Sequence, residues 1–539
     1  MRRIAIIGGG IAGLTAAFEL ARLARDGVQV EAVVFESSPR FGGLIETVRE
    51  GGFTIECGPD GWVSAKPWAR ELAIDLGLEA ELIPSNDATR RTHIFLTTPE
   101  NPAGHLVPMP GGLHMMVPTD LAALEGSPLF TEAAIAAYRA EPARAAELLA
   151  SLPEQDESVA DFTLRHFGRE VLDRVATPLL SGVFGGDVRT LSVRAVMPAF
   201  VQMERAHGSL IASLSRASNI QPPTSPIFTT LRSGLGTLID RLVADIPPSW
   251  LRLHTTVTAI AADSSRTLTA DSRQLNLENS RRPPWKIHTS TTGKHDASES
   301  FDAIFLATPV DATRKLLAPL NADAANLLPR ESSSAVLVAF AYADASRVPL
   351  PPGFGFLVPP HRPDATSSTA VPTTSPVGHS EQRLESRYFA SDPATEITRS
   401  LLLACTFTDQ KFPHRVPPNG RLVRAFFGGA AADRIARCNN DEIAAIARLE
   451  LARILNAAIS VSAAASTPAP IPALTVVRRW PNSLPQYAVG HLERVAEIES
   501  RLRALPGLTL LGNALNGVGL PDLIRAARQA ARTSVATNN

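Results

Sequence analysis

The chain has 539 residues, enough for roughly two to four domains' worth of core. Hydrophobic residues at 45% and charged residues at 19% describe an ordinary globular protein, and a formal net charge of −1 removes the electrostatic basis for nucleic-acid binding. Cys57, Cys405 and Cys438 form no C-x-x-C pair, so no disulfide framework, metal site or dithiol centre is expected, and a reducing compartment is.

Arg3–Ile7 reads as a buried parallel strand, and it starts so early that no signal or transit peptide is expected. Gly8-Gly-Gly-Ile-Ala-Gly13 follows it and opens a helical stretch, Ile11 to Arg25, which fits G-x-G-x-x-G in its proper context. Gly8 permits the turn, Gly10 lets the backbone approach a pyrophosphate, and Gly13 lets helix and strand pack closely. Free N–H groups of Gly10, Ile11, Ala12 and Gly13 would face the anion. A second strand, Val28 to Glu36, ends on an acid about 20 residues further on, as a ribose-binding carboxylate requires; it also disfavours a 2′-phosphate.

Residues 113–207 carry a helical pattern, and strand character returns at Trp250–Ala261 and Phe301–Ala307. Asp263–Ser300 reads as a polar meander with a flexible insert, and 361–391, rich in Pro, Thr and Ser, as a mobile loop. No apolar run approaches the roughly 18 residues that span a bilayer, so membrane contact could only be peripheral.

Glu36-Ser37 through Arg40-Phe-Gly42-Gly43-Leu44 resembles the second signature of glutathione-reductase-like FAD proteins, and Gly58-Pro59-Asp60-Gly61 resembles their next element, a turn against the flavin ring. Further blocks follow in order: Ser158–Phe162, Phe167–Leu172, Pro178–Asp187, Leu191–Arg194, His207–Leu210, Gly353–Pro359, Phe426–Gly429, Trp480 with Leu484–Tyr487, Gly490-His491, and Gly512–Asp522. Together they resemble the oxygen-dependent protoporphyrinogen/coproporphyrinogen oxidase family.

That resemblance implies an α/β protein: a Rossmann-like FAD-binding domain of the glutathione-reductase/amine-oxidase type, woven with a mixed-sheet substrate domain and a helical subdomain. The expected division is 1–90, 225–310 and 475–539 for FAD, 91–112, 208–224 and 311–474 for substrate, and 113–207 for the helical, membrane-associating part. It adds Val257, Trp480, Val518, Gly519 and Leu520 to the FAD contacts; Asp522 reads as a cap of its own helix, a role compatible with one at the cofactor. It places Phe354, Gly355 and Leu357 around the reacting rings, with Phe426 opposite. A propionate-binding cation is expected just before the strand at Ile94–Leu96: Arg91, with Arg90 and His93 as competitors.

The implied reaction is six-electron oxidation of a porphyrinogen by oxygen in heme biosynthesis, in the cytoplasm or peripherally on a membrane, by a chain that resemblance allows to be a homodimer. Protoporphyrinogen IX is the expected substrate and coproporphyrinogen III the alternative. No side chain demands the role of catalytic base; His491 is the one candidate. A flavin amine oxidase or carotenoid desaturase competes, although all five lysines lie outside the cofactor blocks in sequence. So does a flavoprotein without turnover.

Overall fold

The computed structural model describes residues 1–218, 226–262, 285–291, 297–359, 400–455 and 470–536. In chain order the strands of its two main sheets are β1 (Arg2–Ile7), β2 (Val30–Phe35), β3 (Thr92–Thr98), β4 (Asn101–Pro108), β5 (Leu251–Arg252) and β6 (Ala303–Leu306). They continue with β7 (Ser332–Tyr342), β8 (Gly355–Leu357), β9 (Ala404–Phe407), β10 (Arg421–Gly428), β11 (Leu474–Pro485) and β12 (Leu508–Leu510). The helices that position the site are α1 (Ile11–Arg25), α2 (Thr177–Phe184), α3 (Asn440–Leu455), α4 (His491–Leu502) and α5 (Leu520–Ala536).

Ile4–Ile7 and Ala303–Leu306 are buried throughout, as central strands of a sheet covered on both faces must be. They form a five-stranded parallel sheet in the order β5-β2-β1-β6-β12. α1 and α5 pack together on one face, where Leu14, Ala17, Phe18, Ile524 and Ala527 join one core. Burying Phe18, 2% exposed, contributes about 2–3 kcal/mol before entropy is counted. α1 follows β1, and α5 follows β12 after a short loop, so both helices start beyond the carboxyl ends of the strands, where open α/β sheets bind ligands.

The second sheet has seven strands in the order β11-β7-β10-β9-β8-β3-β4, mixed because β8 and β3 run parallel while the other pairs are antiparallel. Alternation divides its faces. Val336, Val338, Phe356, Phe407 and Phe427 face α3, whose Ile443, Ile446 and Leu451 complete that core. On the opposite face Leu337, Ala339 and Ala341 pack against Phe53, Ile55 and Cys57 of the first unit. At the other end of that face Ile94 and Leu96 pack into a helical cluster with Phe162, Leu172 and Leu180.

The fold is α/β of the expected type. Leu210, Ile211 and Leu214 belong to the helical cluster, whereas the sequence reading groups 208–224 with the substrate unit. The strands Thr255–Ala262, Trp285–Thr291 and Ala297–Phe301 form an antiparallel meander; residues 263–284 and the stretch 361–391 lie outside the described residues. Pro178 has no N–H to give, and the helical run ahead of α2 widens into a π turn at Leu172–Ala176. Among the described residues, no helix is long and apolar enough to cross a membrane.

Candidate active site

The β1–α1 turn is built on close backbone approach. A Cβ on Gly13 would sit 2.0 Å from the Gly8 carbonyl oxygen, so only glycine lets α1 start against the strand. Gly10 is different, since a Cβ there would meet no protein atom within 4 Å. Packing therefore does not explain that glycine; a bound group passing over it does. α1 has no side-chain cap, and the N–H groups of Gly10, Ile11, Ala12 and Gly13 donate to no described acceptor, whereas that of Leu14 reaches the Gly10 carbonyl. The donor set suits a pyrophosphate.

Glu36 closes β2. Its Oε2 accepts from Gly9 N at 2.7 Å and its Oε1 from Ser38 N at 2.8 Å, which fixes the carboxylate at the mouth of the turn with lone pairs left for hydroxyl donors. Ser37 beside it is exposed. Gly42 N donates to the Gly9 carbonyl at 2.8 Å, so the Gly42-Gly43 turn runs alongside Gly10. Arg40 binds the carbonyls of Phe41, Gly43 and Ile45, so it stitches this turn together. Leu44, 38% exposed, offers an apolar surface beside it.

Gly58–Gly61 joins this unit to the second sheet. The Trp480 indole on β11 donates to the Cys57 carbonyl at 2.6 Å. Asp60 meets Lys411 Nζ at 3.0 Å and Arg424 Nη1 at 3.2 Å, and Arg424 also donates to the Gly58 carbonyl. Burial alone would raise the Asp60 carboxyl, but Lys411 and Arg424 outweigh it and hold the group below the usual carboxylate range. Val257 lies in the core beside Ile7 and Phe35, at the start of a strand whose Thr255 N binds the Glu36 carbonyl.

The second cradle precedes α5. Val518, Gly519 and Leu520 donate no backbone hydrogen bond to a described residue. Asp522, in the first turn of α5, pairs with Lys66 Nζ at 2.6 Å. The buried His491 donates through Nε2 to the Leu515 carbonyl at 2.7 Å, so it braces this loop instead of facing a reacting group.

Of the residues expected to meet a substrate, Gly355, Leu357 and Phe426 share the inner face of the second sheet. Register places Ile94, Leu357, Ala404 and Phe426 in one row across β3, β8, β9 and β10, and Thr92, Gly355, Thr406 and Arg424 in the next. Phe354 stands half-buried at the edge, its N–H bonded to the Arg91 carbonyl at 2.7 Å. Arg90 and Arg91 are exposed; His93 is buried and spends Nδ1 on the Gly355 carbonyl at 3.3 Å, which separates it from the two arginines as a propionate partner. α2 supplies a wall, because a Cβ on Gly182 would come within 3.1 Å of the Leu357 side chain.

Some residues of this arrangement escape sequence reasoning. Arg424 and Thr406 are two: both are on the inner face, and Arg424 Nε and Thr406 Oγ1 are buried without a hydrogen-bond partner among the described residues. Alternation from Phe426 would have found Arg424. Lys411 gives no local signal.

The pattern of the flavin containing amine oxidoreductase family matches residues 11–533. A coproporphyrinogen III oxidase of Bacillus subtilis (strain 168) is 29% identical over 98% of this chain and 97% of its own. Protoporphyrinogen oxidase 1, chloroplastic, of Spinacia oleracea is 26% identical over 98% of this chain and 83% of its own. Among solved structures, a protein of Exiguobacterium sp. 255-15, named only provisionally as a protoporphyrinogen oxidase, superposes with a TM-score of 0.74 at 26% identity, covering 100% of this chain and 99% of its own. Cyclohexylamine oxidase of Brevibacterium oxydans IH-35A shares the fold alone, at 15% identity and a TM-score of 0.61 over 99% of each chain. The chain belongs to the flavin-containing amine oxidoreductase family, and its cofactor is FAD.

Proposed function

We propose that this protein oxidises coproporphyrinogen III to coproporphyrin III with oxygen as the final acceptor. The observation that carries the reading is full-length similarity: seven relatives named coproporphyrinogen III oxidase align over 98–99% of the chain at 25–29% identity. The expectation of protoporphyrinogen IX from the sequence blocks gives way to this alternative, because those blocks are common to both activities and do not count propionates.

Bound FAD would supply two-electron dehydrogenation, three times for each porphyrinogen. The chain's contribution is positioning. Gly10–Gly13 and Glu36 hold the ADP end, and Val518–Leu520 offer donors to the flavin end. The row Leu357–Ala404–Phe426 and the wall of α2 give an apolar slot for a macrocycle, with the small Ala404 leaving room over the sheet. Arg90 and Arg91 are exposed cations at its edge, suited to the carboxylates of a substrate carrying four propionates. The whole-length relatives favour this over an amine oxidase, whose likeness is confined to the fold.

Anaerobic mixing of the FAD-loaded protein with each porphyrinogen, read by flavin bleaching, and turnover in air, read by porphyrin fluorescence, test the reading. Coproporphyrinogen III should react at least about tenfold faster in kcat/KM, a difference of about 1.4 kcal/mol. Equal rates, or preference for protoporphyrinogen IX, would overturn the substrate; no bleaching by either would overturn the class.

A further inference from the structure

Two side chains from one short segment hold the loop that precedes α5. Tyr487 and His491 are 2% and 1% exposed, and their rings stack with centroids 3.9 Å apart and 11° between planes. Tyr487 Oη donates to the Asn513 carbonyl at 2.7 Å and accepts from Gly517 N at 3.0 Å. His491 Nε2 donates to the Leu515 carbonyl at 2.7 Å. Three backbone groups of Gly512–Gly517 are thus fixed by one stacked pair. Gly517 N is already bound, and the next three residues, Val518–Leu520, present N–H groups without a described acceptor.

The same segment is tied on its other side to the helical unit. Ser192 N donates to the Tyr487 carbonyl at 2.7 Å, Val489 N to the Thr190 carbonyl at 2.9 Å, and Gly490 N to Asp156 Oδ2 at 2.8 Å. Gln486 Nε2 reaches the carbonyl of Phe184, the last residue of α2, at 3.1 Å. A stacked buried pair cannot shift one ring without the other, since interiors pack with no free volume to absorb it. Burial also raises the Tyr487 hydroxyl and lowers the His491 imidazole, so the phenol stays a donor and the imidazole neutral, with its proton on Nε2 at neutral pH.

We propose that Tyr487 and His491 are positioning residues that couple the flavin-end cradle to the helical wall of the substrate slot. The proposal rests on the reading that Val518–Leu520 meet FAD. With the loop braced, the three N–H groups are held ready for the cofactor; with FAD bound, the brace is stiffened and so is the segment Thr190–Ser192 hydrogen-bonded to it. Coupling of this kind is reciprocal: whatever orders the helical wall must tighten FAD by the same factor.

The test uses the full chain with and without FAD. In the wild type, FAD should slow amide hydrogen exchange in peptides covering 188–192, far from the bound adenine. Tyr487→Phe keeps the stack but loses both Oη hydrogen bonds. Its FAD dissociation constant should rise about tenfold and the exchange response at 188–192 should shrink, while the Tm of the apoprotein shifts by only a few degrees. His491→Phe should show the same pattern, and His491→Gln, which retains a donor, should recover part of it. An unchanged FAD affinity in Tyr487→Phe would overturn the proposal, as would exchange at 188–192 that ignores FAD. The exchange measurement needs no variant, so it decides even where Tyr487→Phe does not fold. A wild-type chain that binds FAD, with exchange that slows at Gly8–Gly13 but not at Val518–Leu520, would refute the cradle reading itself, a different failure from that of the brace.

Discussion

The ammonium of Lys411 stands 3.0 Å from the Asp60 carboxylate, across 351 residues of sequence, and pins the Gly58–Gly61 turn to the segment that follows β9 of the seven-stranded sheet. Both side chains are largely buried, 9% and 15% exposed, and Arg424 shares the carboxylate. Lys411→Met leaves Asp60 with one close cation. The expected cost is about 2 kcal/mol in urea unfolding, because a buried charge loses a partner it cannot replace with water. Asp60→Asn should cost more than Lys411→Met, because it takes the carboxylate away from both Lys411 and the buried Arg424. An Asp60→Asn variant no less stable than Lys411→Met would show that the carboxylate is not what holds the turn.

The glycines of the first turn separate folding from binding. Gly13→Ala forces a Cβ to 2.0 Å from the Gly8 carbonyl oxygen, so the apoprotein should lose stability and FAD together. Gly10→Val projects into open space from a backbone at φ −75°, which valine tolerates. Its apoprotein should melt within a few degrees of wild type, while FAD affinity falls by at least about a hundredfold, through the close approach that Gly10 permits. Calorimetry of the apoprotein and flavin titration distinguish the two. Tight FAD binding by Gly10→Val would move the pyrophosphate away from this turn.

What could be read from the sequence follows from how each residue acts. Gly8, Gly13 and Glu36 act through local backbone geometry, and their spacing along the chain carries the whole message. Leu357 and Phe426 belong to strands whose ordered blocks identified them, but nothing in those blocks says that one register row joins them through Ala404. Lys411 and Tyr487 act through contacts made only when distant segments meet. The lysine argument against an amine oxidase illustrates the limit: all five lysines avoid the cofactor blocks in sequence, yet in space Lys411 reaches Asp60 and Lys66 reaches Asp522.

Arg90 and Arg91 differ in what their strand does with them, though both side chains are exposed. The Arg91 carbonyl is bonded to Phe354 N, so its Cα is fixed beside the Phe354–Leu357 wall. Arg91→Met should raise KM for coproporphyrinogen III roughly tenfold and leave kcat within about twofold, as the loss of a binding contact distant from the reacting carbon does. Arg90→Met should have the smaller effect. Steady-state kinetics on both variants decides between them, and the reverse ranking would exchange their roles.

His166 gives the helical unit a pH dependence of its own. Its Nδ1 lies 3.0 Å from Glu141 Oε1 and its Nε2 3.0 Å from Glu204 Oε1, and the ring is buried. A neutral imidazole donates from one nitrogen only, so both bonds require the imidazolium. Glu141 also accepts from Ser209 and from Leu210 N, and Glu204 from Arg165, which in turn pairs with Glu157. Burial pulls the His166 pKa down, but the hydrogen bonds to Glu141 and Glu204 outweigh it and leave it raised. A group raised on folding stabilises fully below its unfolded pKa, near 6.5, and that contribution is lost as pH rises through the folded value. Stability should therefore decline from about pH 6.5 towards the alkaline side, with Glu141 and Glu204 left facing each other across a neutral ring. His166→Gln donates from one end only and has no proton to lose, so its Tm should be lower at pH 6 and flatter between pH 6 and 9. Melting both proteins across that range checks it, and parallel curves would remove His166 as the source of the slope.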